Sequence, residues 1–302
     1  MRLMLTGASG FLGRHLVRKA AGRVLVRVTR ASEAIGPDEA ALGPGPWNRA
    51  HFAEALVSAN PDVVIHCAGI VHSDSVGMYF QTNVALAAEL LEAVAAAPRP
   101  PRVILIGSAA EYGLVSPDAQ PVSETYPCRP RTNYAVSKYA QSLLGFASVM
   151  RGLQVLVARL FNPVGFGMPA RLALPSFARQ ITSAAVQPIV SVGDLSVERD
   201  FLDVEEVSRV LLALADLPEW PWPLVNLCSG KAYRLGDLLD ELIAMSGRRV
   251  QIRQDPTLVR DGDMRSLVGD TSRLSSISLL PDPPDFEKLL AGLLAEARAS
   301  SN

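Results

Sequence analysis

Tyr134-Ala-Val-Ser-Lys138 is the stretch of this sequence best equipped for proton chemistry. On a helix, residues four apart share a face, so the spacing puts a phenol beside an ammonium. An adjacent ammonium lowers the phenol's pKa and lets it exchange a proton near neutral pH. A solvated helix face can carry the same spacing by chance. Here, however, it follows Ser108, which closes the apolar run of ILIGSAAEYG. The C-terminal end of a strand is where open α/β sheets place their ligands. A second constellation, TGASGFLG from Thr6 to Gly13, spaces Gly7, Gly10 and Gly13 as GxxGxxG. Glycines let backbone approach a pyrophosphate, and a helix N-terminus offers free N–H groups and positive dipole. The spacing is one residue longer than the GxGxxG fingerprint. A bland strand–turn–helix would need one glycine rather than three.

These groups need a scaffold that gathers them at one edge. Apolar runs at Arg2–Leu5, Val24–Val28, Val63–His66, Val103–Ile106 and Val155–Leu160 show little polar alternation, as strands covered on both faces do. Helical patterns lie between them at Leu12–Ala21, Phe52–Ala59, Val84–Ala97 and Tyr134–Arg151. The order predicts an α/β fold, a Rossmann-type doubly wound parallel sheet with right-handed crossovers. Beyond Asn162 the pattern loosens. Helices are expected at Pro175–Ala185, Glu205–Ala215, Leu235–Ser246 and Phe286–Ala297, with strands at Ile189–Val192 and Val225–Cys228. We expect a dinucleotide-binding domain from residues 1–161 and 200–229, and a smaller α/β C-terminal substrate lobe from 162–199 and 230–302. The Gly-, Pro- and Ala-rich stretch Ser32–Asn48 reads as a surface loop.

Composition narrows the class. At 302 residues the chain is long enough for a sizeable core. A net charge of −1 favours neither nucleic acid nor a membrane surface as partner. Cys67, Cys128 and Cys228 form no CxxC pair, and the four histidines show no metal-ligand spacing. We therefore expect no disulfide framework and no metal. No apolar run is long enough to span a bilayer, and the N-terminus lacks a signal peptide's apolar core. A cytoplasmic protein is expected.

Taken in order, TGASGFLG, VIHCAG, the asparagine of QTNVALAAEL, GSAAEYG, YAVSK, RLFNPVG and RDFLDVEEV resemble the extended short-chain dehydrogenase/reductase family over nearly the whole chain. The resemblance implies an NAD(P)-dependent oxidoreductase. By it, Ser108 hydrogen-bonds the substrate carbonyl, Tyr134 exchanges the proton, and Lys138 binds the nicotinamide ribose. It assigns cofactor contacts to Gly7, Ser9, Gly10, Phe11, Leu12, Gly13, Ala68, Gly69 and Asn83. A helix N-cap is the alternative for Asn83. The resemblance also implies a homodimer through the helices at Val84–Ala97 and Tyr134–Arg151.

Cofactor and substrate follow from departures within that pattern. NAD-binding members carry an acid at the end of the second strand, where this chain has Thr29 followed by Arg30. A carboxylate would repel a 2′-phosphate and an arginine would bind it, so NADP(H) is favoured over NAD(H). Trp47–Arg49 replaces the acid that many relatives place near adenine. Sugar-nucleotide dehydratases carry acids just past the serine, where this chain has Ala109 and Ala110. Glu111 is one step on, and an extended segment would turn it to the other side. The lobe sequences resemble nucleotide-sugar members, above all GDP-4-keto-6-deoxymannose reductases and related NDP-4-keto-6-deoxyhexose reductases. That resemblance assigns the substrate diphosphate to Asn162, Arg199 and Arg260, with Arg179 a further candidate, and arginines supply the cations that a diphosphate needs. An ion pair with Asp200 or Asp203 is the alternative for Arg199, and one with Asp261 for Arg260. VRDGDM (Val259–Met264) replaces an expected Arg-Pro element. The expected reaction is NADPH-dependent reduction of a 4-keto group. The rivals are a 4-epimerase with bound NAD, a reductase of a non-sugar carbonyl, and a cofactor-sensing protein without catalysis.

Overall fold

Runs of Val, Ile and Leu without polar alternation require cover on both faces. The computed structural model, which describes residues 1–30, 38–185, 187–259 and 264–300, provides it. The chain begins β1 (Arg2–Thr6), α1 (Phe11–Lys19), β2 (Val24–Thr29), β3 (Glu39–Ala41), α2 (Arg49–Ala59), β4 (Val63–His66), α3 (Val76–Tyr79), a π-helical stretch (Phe80–Ala85) and α4 (Leu86–Ala96). It continues β5 (Arg102–Ser108), a 3-10 turn (Ala109–Tyr112), α5 (Asn133–Met150), β6 (Val155–Leu160), β7 (Asn162–Val164), α6 (Ala173–Ile181), β8 (Ile189–Val192), β9 (Glu198–Arg199) and β10 (Phe201–Asp203). The last part holds α7 (Val204–Asp216), β11 (Leu224–Leu227), β12 (Tyr233–Arg234), α8 (Leu235–Ser246), β13 (Gln251–Gln254), β14 (Ser266–Leu267), α9 (Ser272–Ser276) and α10 (Phe286–Ala299).

The main sheet has seven strands in the order β11-β6-β5-β4-β1-β2-β3. All of its neighbours pair parallel. The strand order reverses between β1 and β4, which opens the crevice where such sheets hold ligands. Side chains alternate between the two faces as a strand's period of two requires. Leu3 and Leu5 enter one core cluster, and Met4 the other. Ile104 and Val103 divide in the same way. A third core joins Val164, Phe177, Val192, Leu239 and Leu290 from the elements beyond β6. Small sheets there pair β12-β9-β14 and β13-β8.

The expected strands and helices are present, joined by shorter elements that the sequence pattern did not show. Ser32–Asn48 was expected to be all loop, but within it Glu39–Ala41 pairs parallel with Arg27–Thr29 and becomes the edge strand β3. Ala40 packs into the core beside Val26 and Val28. A three-residue strand is too short to show periodicity, so tertiary pairing decides it. Among the described residues no helix is long and apolar enough to cross a membrane.

Candidate active site

β1 ends at Thr6, and the backbone must turn sharply into α1. Gly7 makes that turn at a φ of 72°, and a Cβ there would lie 2.6 Å from the Ala68 nitrogen. Gly13 packs against the turn so closely that a Cβ would sit 2.1 Å from the Gly7 carbonyl oxygen. Both positions exclude any side chain. Gly10, the N-cap of α1, offers no side-chain cap. The first N–H groups of a nine-residue helix therefore face outward uncapped, the arrangement that binds a phosphate anion. Ser9 is exposed and its carbonyl accepts from Arg14 Nη1 at 3.2 Å. Phe11 stands edge-on to His15, and Leu12 packs into the core beneath.

Across the crevice, the segment after β4 is fixed from two sides. The Ala68 N–H donates to Thr6 Oγ1 at 3.3 Å. Asn83, fully buried in the π-helical stretch, accepts from the Ile70 N–H at 2.8 Å and donates to the Ile70 carbonyl at 3.0 Å. Its amide also donates to Ser137 Oγ on α5 at 2.9 Å. Asn83 is thus no N-cap. It clamps the Ala68–Ile70 backbone to the helix that carries Tyr134 and Lys138, and Gly69 leaves room for its side chain.

Ser108 lies at the end of β5, buried to 9 % exposure. Tyr134 opens α5 just behind the Thr132 cap, half-buried, with its ring 6.3 Å from that of Tyr79. Burial pushes the Tyr134 phenol up to about 12, while its hydrogen bond with Ser108 opposes that rise. The phenol thus stands above its ordinary value, where the sequence spacing led us to expect it lowered. The Lys138 amine donates to Gln141 Oε1 at 2.7 Å, and its own burial brings it down to about 8 against the pull of Glu111.

Glu111 is not on an extended segment, as its sequence position suggested. It sits in the 3-10 turn Ala109–Tyr112, fully buried. One carboxylate oxygen accepts the Ser108 N–H at 2.7 Å. The other accepts Ser142 Oγ at 2.9 Å and Arg159 Nε and Nη2 at 3.1 and 2.9 Å. The Arg159 guanidinium stacks 4.4 Å over the Tyr112 ring. This ion pair joins β5, α5 and β6 directly beneath the serine. The signal in the sequence was an arginine inside the otherwise apolar strand VLVARL, since a buried charge demands a partner.

Of the residues assigned to the substrate diphosphate, three lie among the described ones. Asn162 Nδ2 donates to the Asp200 carbonyl at 2.9 Å. Arg199 Nη1 donates to the Met264 and Glu198 carbonyls at 2.8 and 2.7 Å. Asp200 takes its hydrogen bonds from Ser229, Gly230 and Gly269, and Asp203 caps α7. Arg179 is exposed near the end of α6. Arg260 lies outside the described residues. A cavity of about 620 Å³ opens between the segment after Tyr112 and the small sheet, lined by Leu114, Val115, Glu198, Arg234, Met264 and Arg265 among others. No single motif marked it, because four separate segments build its wall.

At the other end of the crevice, Arg30 is exposed immediately past β2, with no ion pair among the described residues. Thr29 Oγ1 is buried without a hydrogen-bond partner. Trp47 stacks edge-on against Phe52 and donates to the Gly43 carbonyl at 3.0 Å.

Comparison with known proteins gives the family and the fold. Residues 3–225 match the model of the NAD dependent epimerase/dehydratase family. A GDP-6-deoxy-D-mannose reductase from Pseudomonas aeruginosa is 33 % identical over 285 residues, 90 % of this chain and 89 % of that protein. A dTDP-6-deoxy-L-talose 4-dehydrogenase (NAD(P)(+)) from Kitasatospora kifunensis is 30 % identical, covering 84 % of this chain and 82 % of its own. The solved structure of RMD from Pseudomonas aeruginosa complexed with NADPH superimposes with a TM-score of 0.82 at 29 % identity, over 99 % of this chain and 98 % of that one.

Proposed function

The chain belongs to the NAD dependent epimerase/dehydratase family, and we propose that it is an NADPH-dependent reductase that converts the 4-keto group of an NDP-4-keto-6-deoxyhexose to the alcohol. The observation that carries this reading is the fate of the carboxylate nearest the hydroxyl pair. Removing water across C5–C6 of a sugar needs an acid or base facing the substrate beside Ser108. Positions 109 and 110 are alanines, and Glu111 is sealed in its ion pair with Arg159. A hydroxyl, a phenol and an ammonium remain, a set suited to protonating an alkoxide. The activity named for the Pseudomonas aeruginosa relative supports the same reaction.

NADPH, when bound, supplies the hydride. The uncapped start of α1 holds its pyrophosphate, with Gly7, Gly10 and Gly13 keeping side chains out of the way. Arg30 meets the 2′-phosphate. Lys138 binds the nicotinamide ribose as an ammonium. The Tyr134 phenol, kept protonated by burial, donates its proton to the oxygen that becomes the alcohol. The Ser108 hydroxyl bonds the same oxygen, so developing negative charge meets two preset donors. In this reading residues 1–161 and 200–229 carry the cofactor, and residues 162–199 and 230–302 carry the nucleotide sugar. The cavity beside Val115 takes the nucleoside end, and Asn162, Arg179, Arg199 and Arg260 serve the diphosphate. A cytoplasmic homodimer through α4 and α5 completes the proposal. Val136, Leu143 and Met150, seven residues apart on α5, are 38, 48 and 87 % exposed.

Calorimetry with NADPH and NADH on the wild type and Arg30→Ala tests the cofactor. NADPH is expected to bind roughly tenfold or more tightly than NADH, about 1.4 kcal/mol, and the substitution to erase the difference. Loss of nicotinamide absorbance with GDP-, dTDP- and UDP-linked 4-keto-6-deoxyhexoses tests the reaction. Tightly copurifying NAD, indifference to Arg30 and no consumption of NADPH would overturn the reading in favour of a 4-epimerase.

A further inference from the structure

The Lys138 ammonium has little contact with water, at 6 % exposure, and a buried ammonium must bond its protons. Its hydrogen bond runs to Gln141 Oε1 at 2.7 Å. Gln141 is fully buried one turn further along α5. Its amide nitrogen donates to the Ile106 carbonyl of β5 at 3.1 Å. That second bond settles which end of the amide faces the lysine, because a carbonyl takes the nitrogen and leaves the oxygen for the ammonium. Ile106 lies two residues before Ser108 on the same strand. One side chain thus links the amine to the strand that presents the serine.

We propose that Gln141 is a positioning residue for the proton-transfer pair, anchoring the Lys138 ammonium to the strand that carries Ser108 and keeping it charged one turn from Tyr134. The proposal rests on Lys138 serving the nicotinamide cofactor as described above. Every neighbouring element contributes to the balance. Glu111, in the turn after β5, favours the ammonium, while Cys67, after β4, is a thiol that burial raises to about 12 and that stays neutral where the lysine titrates. His66, at the end of β4, is held neutral because burial and the nearby Lys138 drive it down to about 3. Tyr134, on α5 itself, is a neutral phenol at about 12. Against that fixed surround, the Gln141 dipole supplies the acceptor that the ammonium needs.

Two substitutions push in opposite directions. Gln141→Met keeps the length and apolar volume but removes the acceptor. Gln141→Glu keeps the acceptor and adds a negative charge. Both forfeit the bond to Ile106. The dissociation constant of NADPH, read from its own fluorescence between about pH 6 and about pH 10, follows the lysine without any turnover. In the wild type, binding is expected to weaken above a break near about 8, as the ammonium is lost. Q141M moves that break to lower pH and weakens binding severalfold on its alkaline side, while Q141E moves it to higher pH. A role in packing alone would not separate the two variants in sign. Coincident breaks, or shifts in the same direction, overturn the proposal. A wild type that binds NADPH with no break at all overturns it too. If the wild type does not bind NADPH, the cofactor reading has failed and the proposal falls with it.

Discussion

Replacing Glu111 by glutamine leaves the shape of the side chain intact and removes one charge from a fully buried site. The carboxylate answers four donors: the Ser108 N–H, the Ser142 hydroxyl, and Nε and Nη2 of Arg159. A glutamine presents one oxygen and one NH₂. If the oxygen faces Arg159, the NH₂ meets the Ser108 N–H; if it faces Ser108, the NH₂ meets the guanidinium. Either orientation sets donor against donor, which costs about 1–3 kcal/mol for the group left unsatisfied. Arg159, 1 % exposed, also loses its counter-charge. Breaking a buried pair by removing one partner costs about 3–5 kcal/mol in total. Guanidinium unfolding of wild type, E111Q, R159M and the double variant measures this. We expect E111Q to lose roughly 3–5 kcal/mol. The double variant should be no less stable than E111Q, since removing the arginine removes the unpaired charge. A loss below about 1 kcal/mol for E111Q, or strictly additive effects of the two substitutions, would refute the argument that charge compensation fixes this turn.

Two further outcomes are expected. Tyr134→Phe should lower kcat by about 10²–10⁴, the usual share of a positioned proton donor, while NADPH affinity measured by calorimetry changes little. Equal losses in binding and turnover would mean the phenol packs rather than reacts. Asp62 ties the N-terminus to the sheet by accepting the Arg2 N–H at 2.7 Å and Arg99 at 2.6 Å, and the first of these bonds holds its carboxyl below the ordinary 3.8. A group depressed in the folded state stabilises above its unfolded value, and that stability is lost as pH falls through the folded one. Asp62→Asn should therefore lower the thermal midpoint at neutral pH, with the gap to wild type closing below pH 3.8. A gap unchanged in acid would show that the charge contributes nothing.

The opening constellations needed no tertiary information. Gly7, Gly10 and Gly13, placed between an apolar run and a helical pattern, announce a strand–turn–helix phosphate site, because backbone room and free N–H groups are properties of local sequence. The parallel sheet was legible for the same reason, since strands such as Val63–His66 and Val155–Leu160 are apolar on both faces. Tyr134 and Lys138 fall one turn apart whatever surrounds them. Everything that depends on what meets what across the chain was decided by the fold. Edge strand β3 exists only because Arg27–Thr29 is there to pair with it. Asn83 could have capped a helix, and became a clamp on Ile70 because the π-helical stretch turns it inward. The sequence placed the Lys138 ammonium against Tyr134, but the amine goes to Gln141, whose orientation is fixed by a carbonyl 35 positions away. Glu111 and Arg159 lie 48 positions apart, too far for any local pattern to pair them. Hydrogen bonds and charges act over a few ångströms, so local spacing fixes only those partners that lie within a turn or two. Burial then decides which remaining groups must find each other.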